Sequence, residues 1–297
     1  SVTGLDQTNL GLGVRTMADY ARPELLVTTE WVAAHGADDG IRLVEVDVDT
    51  SSYGDAHIEG AVGWNWETQL CDQVRRDILT REDFQTLLSG SGISNDTTIV
   101  LYGDNNNWFA TYALWQCIYW GHPEDKIHLM NGGRSKWISE GRPTTSDVPS
   151  HAAAAYTAAF GDDNVRSQSH QIMHGLSEDA INLVDVRSPA EFSGEVIAPP
   201  GMSETAQRGG HVPGALNVPW SQAVNEDGTF KSVDGLLELY GSLDDGKETI
   251  AYCRIGERSS HTWFVLKYLL GHDKVRNYDG SWTEWGNIVG APVAKGE

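Results

Sequence analysis

The chain repeats itself, and the repeat constrains the fold more tightly than any local propensity. Leu43-Val-Glu-Val-Asp47 returns as Leu183-Val-Asp-Val-Arg187, and His57-Ile-Glu-Gly-Ala61 returns as His211-Val-Pro-Gly-Ala215. Trp66 matches Trp220, and Thr98-Ile-Val-Leu-Tyr102 parallels Thr249-Ile-Ala-Tyr-Cys253 to within one residue of register. Gly121-His122 matches Gly271-His272, while Gly132 and Trp137 match Gly280 and Trp285. Self-similarity at an offset of about 150 residues, in a chain of 297, means one structural unit used twice. Each half is long enough to bury a core of its own.

Within each half, short β-branched runs alternate with helical patterns, the order that parallel strands joined by crossover helices require. In the first half this predicts strands over Leu25–Val27, Ile41–Val48, Ala61–Trp64, Thr98–Tyr102 and Lys126–Met130. Helices are predicted over Thr29–His35, Arg81–Leu88, Asn107–Trp120 and Arg134–Glu140, the second of them opened by the capping pattern Thr80-Arg-Glu-Asp83. In the second half Ser188-Pro-Ala-Glu191 combines a cap, a proline at the first helical position and an acid at the third. The stretch from Gly141, Pro-rich and then Ala-rich without a period, reads as an inter-domain linker. Gly194 to Gly210 has no counterpart in the first half and reads as a surface loop, leaving the role of Arg208 open.

Residues 249–271 carry the chemistry. Ile250, Ala251 and Tyr252 are strand-like, a tight loop follows, and Trp263, Phe264, Leu266, Leu269 and Leu270 have helical apolar spacing ended by Gly271. Ser259 or Ser260 is the expected cap, Gly256 permits the sharp curve, and Cys253 sits at the seam between strand and helix. Unpaired N–H groups at the helix start, with Arg254 and Arg258 beside them, favour a thiolate, so Cys253 is the expected nucleophile. The same donors would hold an oxyanion.

The duplication is also an internal control, because features present in both halves serve the fold and features present in one are candidates for chemistry. By this test His57 and His211 are structural, as are Glu45, Asp185 and the paired tryptophans. Cys253 faces Tyr102 or Gly103 in the first half, so that half has no nucleophile there. Arg187 replaces Asp47 at the C-terminal end of a strand, the edge where open α/β sheets build their sites. His261 lies two turns into the helix, too far along for a Cys–His dyad to be the expectation.

At these residues the chain resembles the rhodanese family, specifically the tandem-domain thiosulfate sulfurtransferases. Cys253-Arg254-Ile255-Gly256-Glu257-Arg258 matches the family's six-residue Cys-led loop, and the likeness runs from about Leu25 to Trp285. The resemblance implies an α/β fold of two tandem rhodanese-like domains, each a mainly parallel sheet flanked by helices. Residues 1–22 would be an extension or leader, 23–142 a first domain without a nucleophile, 143–165 a linker and 166–297 the catalytic domain. It further implies Cys253 as the catalytic residue, with Arg187, Arg254, Ile255, Gly256, Glu257 and Arg258 at the substrate. Arg187 matches the family's substrate-binding arginine in position, and Asn105 to Trp108 would line the cleft opposite Cys253. The implied reaction moves the outer sulfur of thiosulfate through a Cys253 persulfide to cyanide or a cellular thiol, with no metal or organic cofactor. Glu257 is unexpected beside an anion site, and either points to solvent or pairs with an arginine.

Composition sets the limits. Acidic residues number 42 against 21 basic ones, a net charge of −21, which argues against nucleic acid or an anionic membrane as partner. If the substrate is an anion, the site must invert the surrounding field locally. Three cysteines, Cys71, Cys117 and Cys253, fit neither a metal spacing nor a disulfide framework, and a reducing cytoplasm is the simplest setting. Three rivals remain. A Cys-based phosphatase would need five residues between cysteine and arginine where this loop has four. A 3-mercaptopyruvate sulfurtransferase resembles Cys-Gly-[Ser/Thr]-Gly and lacks the arginine after the cysteine. A sulfur-carrier module would hand its sulfur to an acceptor protein.

Overall fold

The computed structural model describes residues 17–202 and 206–296, so the first sixteen residues of the expected extension 1–22 and residues 203–205 of the insertion lie outside the described residues. In chain order the strands are β1 (Leu26–Val27), β2 (Ile41–Glu45), β3 (Val62–Gly63), β4 (Cys71–Asp72), β5 (Asp77–Ile78), β6 (Thr98–Tyr102), β7 (Ile127–Met130), β8 (Ile181–Asp185), β9 (Leu216–Asn217), β10 (Glu248–Tyr252) and β11 (Val275–Tyr278). They form two parallel sheets, ordered β1-β7-β6-β2-β3 and β11-β10-β8-β9, with β4 and β5 as a separate antiparallel hairpin. The expected fold, two mainly parallel sheets flanked by helices, is what the chain adopts. β6 and β10 lie inside their sheets and are buried from their second residue onward, as a continuous apolar run predicts.

Register resolves the ambiguity in the repeat. Glu45 pairs with Tyr102 and Asp185 with Tyr252, so Tyr252 is the counterpart of Tyr102 and Cys253 stands where the first domain has Gly103. Both tyrosine hydroxyls accept an equivalent backbone N–H, from Ile58 and Val212, at 3.0 Å. The repeat extends to the sheet edge, where Arg166 bridges Asn277 in parallel, at the station β1 fills beside β7.

Several boundaries differ from the sequence reading for local reasons. The strand predicted over Ile41–Val48 stops at Glu45, because the Asp104 carboxylate draws the Val48 and Asp49 amides away from the ladder at 2.6 and 3.1 Å. The helix expected from Asn107 runs regularly from Trp108, one residue later, because Asn105, Asn106 and Asn107 form a left-handed turn at φ 43°, 60° and 62° ahead of it. Asparagine is among the few residues that visit this left-handed region readily. Residues 143–165 are no free tether: Thr145 bridges His57, and the Ala154 and Ala159 amides donate to Ser89 and Trp120 carbonyls at 3.0 and 2.9 Å.

The helix Asp104–Tyr119 is buried on nearly every side, which a helix apolar all round requires. It packs on the helix Glu257–Phe264 of the second domain, where Ser260 Oγ lies 3.3 Å from Thr111 Oγ1. Domain packing therefore runs directly through the helix that follows Cys253.

The first domain keeps a buried ion pair at the strand end: Glu45, fully buried, accepts from Arg134 and from the Tyr102 hydroxyl. Removing one partner strands the other charge. Arg134→Met is expected to lower unfolding stability by about 3 kcal/mol in urea titration, whereas an exposed arginine such as Arg75 changed to Met should shift it by less than about 0.5 kcal/mol.

Candidate active site

β10 ends at Tyr252 and the chain bends through Cys253–Gly256 into the helix Glu257–Phe264. Gly256 has φ +94°, and a Cβ there would stand 2.4 Å from Asp279 Cα, so the bend needs glycine for both conformation and space. The helix, capped by Gly256, starts three or four residues earlier than a cap at Ser259 or Ser260 predicted. Ser259 Oγ instead donates to Asn277 Oδ1 at 2.6 Å, and Ser260 Oγ to the Glu257 carbonyl at 2.6 Å.

The loop hangs from the end of β11. Cys253 N–H donates to Ser281 Oγ at 3.0 Å, the Trp282 amide donates to the Cys253 carbonyl at 3.0 Å, and Thr283 donates to the Arg254 carbonyl at 3.1 Å. Asn277 Nδ2 holds the Gly256 carbonyl at 2.9 Å. Among the loop amides, Gly256 N–H points at Cys253 Sγ, 3.2 Å away.

Cys253 is 0% exposed. The expectation of a depressed thiol pKa is corrected here: burial pushes the thiol up, the nearby Glu257 carboxylate adds to that, and the Arg258 guanidinium opposes it. Glu257 is also 0% exposed, which overturns the solvent-facing alternative in favour of the pairing one. Its Oε2 receives the Cys253 thiol at 3.3 Å and the Ile255 amide at 3.2 Å, while Oε1 lies 3.6 Å from Arg254 and 3.8 Å from Arg258.

Arg258 is locked by two 3.1 Å bonds to Glu191, whose capping role in the following helix was all that sequence revealed. Trp108, reaching across from the first domain, sits 5.9 Å from the Arg258 guanidinium, so part of the segment expected opposite Cys253 is there. Arg187 is 1% exposed and engaged: it pairs with Asp185 at 2.7 Å, donates to the Gly210 carbonyl at 2.6 Å and leaves Nη1 without a partner. Arg208 donates to the Gly286, Ala291, Trp285 and Ile288 carbonyls and is a structural clamp.

His261 is no partner for the sulfur. It is wedged between Trp220 and Phe230, ring centroids 5.2 and 4.9 Å away, and burial drives its pKa down to about 3, so it stays neutral. The His57 ring nitrogens lie 2.7 and 3.1 Å from the Tyr53 and Asp147 carbonyl oxygens, and His211 Nδ1 lies 2.8 Å from that of Phe192. Cys117 is core. Cys71, unreadable in the sequence, lines a cavity of about 280 Å³ between the domains with Trp66, Arg76, Tyr112, Asp279 and the loop residue Ile255. Among the described residues no cluster of His, Cys, Asp or Glu could hold a metal ion, and no helix is long and apolar enough to cross a membrane.

A buried cysteine in an amide-lined, arginine-flanked loop, present in one of two duplicated α/β domains, agrees with a profile of the rhodanese-like domain that matches residues 28–140 and 169–288. The chain belongs to the rhodanese family. A candidate thiosulfate sulfurtransferase of Haloferax volcanii is 54% identical over 286 residues, 94% of this chain and 99% of the relative. The sulfur carrier protein TtuD of Thermus thermophilus is 51% identical, over 94% and 99% of the two chains. The 3-mercaptopyruvate sulfotransferase SseA of Escherichia coli superposes with a TM-score of 0.76 at 25% identity, over 87% of this chain and 98% of that one. This rhodanese is a sulfurtransferase with a sulfur donor and an acceptor.

The raised Cys253 pKa has a direct consequence for alkylation. Iodoacetamide trapping of Cys253, followed by mass spectrometry, is expected to accelerate with pH through a midpoint above the roughly 8.5 of a free thiol. Arg258→Met removes the opposing cation and should slow trapping at pH 8 by about tenfold.

Proposed function

We propose that this rhodanese moves the sulfane sulfur of thiosulfate through a Cys253 persulfide to a thiophilic acceptor. The observation that carries the reading is the loop itself, which gathers one sulfur, backbone amides and two guanidiniums at one buried point. As a thiolate, Cys253 Sγ attacks the outer sulfur of thiosulfate. A new S–S bond forms to Cys253, the bond to the central sulfur breaks with its electron pair, and sulfite departs as the dianion. In this reading Arg187, Arg254 and loop amides hold its oxygens, and Arg258 steadies the persulfide charge. In the second half, cyanide or a thiolate attacks the persulfide's terminal sulfur and restores Cys253.

The inorganic donor is favoured over 3-mercaptopyruvate by Arg254, a full charge directly after the nucleophile, which suits a dianion. The loop also has one residue fewer between Cys253 and Arg258 than a Cys-based phosphatase needs. A second reading, transfer of the sulfur to an acceptor protein, is supported by the 51% identity to TtuD, which is named as a sulfur carrier. Localisation in the cytoplasm and the boundaries 23–142 and 166–297 belong to the same proposal.

Intact mass after exposure to thiosulfate tests the first half-reaction. The wild-type chain is expected to gain one sulfur atom, about 32 Da, and to lose it to cyanide, while Cys253→Ser gains nothing. Loading by 3-mercaptopyruvate but not by thiosulfate would replace the donor. No loading by either would end the enzyme reading.

A further inference from the structure

The carboxylate of Glu257 is placed as a ligand would be. It is fully buried, accepts the Ile255 loop amide at 3.2 Å, faces Arg254 at 3.6 Å and Arg258 at 3.8 Å, and receives the Cys253 thiol at 3.3 Å. These are the donors an oxyanion bound over the sulfur would need. We propose that Glu257 is an internal occupant of the oxyanion seat, which the donor must displace before Cys253 can react. The inference rests on the donor reading above and adds how the seat is kept when no donor is present.

The duplicated domain supports this. Asn107 follows Gly103 by four residues, as Glu257 follows Cys253, and its Oδ1 likewise folds back into its own loop to accept the Gly103 amide at 2.9 Å. There the plug is neutral, and its Nδ2 is tied to the Met130 carbonyl at 2.8 Å. In the second domain the plug is charged, and its Oε1 has no hydrogen-bond partner. A side chain at this position closes the loop in both domains, and only the catalytic loop closes on a group that a competing anion would repel.

The charges that face Glu257 set the direction of its effect. Cys253, Arg254 and Arg258 surround it on its own loop and helix, Glu191 stands behind Arg258, and Cys71 and Tyr112 approach from the first domain. With the carboxylate seated, the thiol is held protonated. When an oxyanion takes the Ile255 amide and the guanidiniums, the carboxylate withdraws from the sulfur, its charge no longer opposes the thiolate, and the thiol proton passes to solvent. Ile255 also lines the inter-domain cavity of about 280 Å³, which brings that cavity up to the loop that carries the seat.

Two readouts test the seat, and the first needs no turnover. Sulfite protection of Cys253 against iodoacetamide is expected to need about tenfold less sulfite in Glu257→Gln than in wild type, and unprotected alkylation at pH 8 should be about tenfold faster. In the thiosulfate assay the same variant should lower KM by a similar factor. Glu257→Asp, one methylene shorter, retracts the charge from the Ile255 amide and should move each readout the same way by less, which also covers a failure of the glutamine variant to fold. Protection and alkylation within twofold of wild type, or weaker sulfite protection in both variants, would overturn the proposal. Failure of wild type to load sulfur would instead remove the donor reading, because sulfite protection still reports on the seat.

Discussion

A line of alternating buried charges, Glu191, Arg258, Glu257 and Arg254, is what the second domain is built to hold. None of the four side chains is more than 7% exposed, so each charge depends on its neighbours for the solvation it has lost. Two cations and two anions cancel, and Cys253 sits against the inner pair. The rest of the domain supplies the ends of this line: the helix Pro189–Ser193 carries Glu191, and the anchors at Asn277, Ser281 and Trp282 fix the loop that carries the remainder. A neutral cluster also explains how a chain of net charge −21 keeps its reactive sulfur apart from the surface field.

The two domains solve the strand end differently from the same plan. In the first, Glu45 is met by Arg134 arriving from a later helix; in the second, Asp185 is met by Arg187 from two residues onward. Where the second places a sulfur, the first has Gly103, followed by Asp104 and three left-handed asparagines. Burial and the neighbouring Glu45 push the pKa of Asp47, the counterpart of Arg187, upward, so this end of the first domain disfavours charge where the second holds a cation. The first domain lacks the nucleophile yet still builds the second's site through Trp108, Thr111 and Tyr112.

The sequence made the architecture legible because a repeat reports two copies of each element, and the buried runs at β6 and β10 were continuous enough to fix their type. Cys253, Gly256 and the arginines were legible from type and position along the chain. Three things were not. The helix start was misplaced because Ser259 and Ser260 look like caps, while the serine hydroxyls are taken up by Asn277 and the Glu257 carbonyl. The thiol's direction of shift was misjudged because burial and an inward carboxylate cannot be seen in a strand–loop–helix pattern. Glu191 was missed as a site residue because it lies 62 positions before Cys253, and only the packed helices bring it there.

The contact between the helices Asp104–Tyr119 and Glu257–Phe264 has a consequence for how such a chain can change over time. A gene copy relieved of catalysis would ordinarily be free to drift. Here the domain without the cysteine forms the mould against which the other sets its loop, so a change of side chain at Trp108 or Thr111 is a change to the wall of that loop.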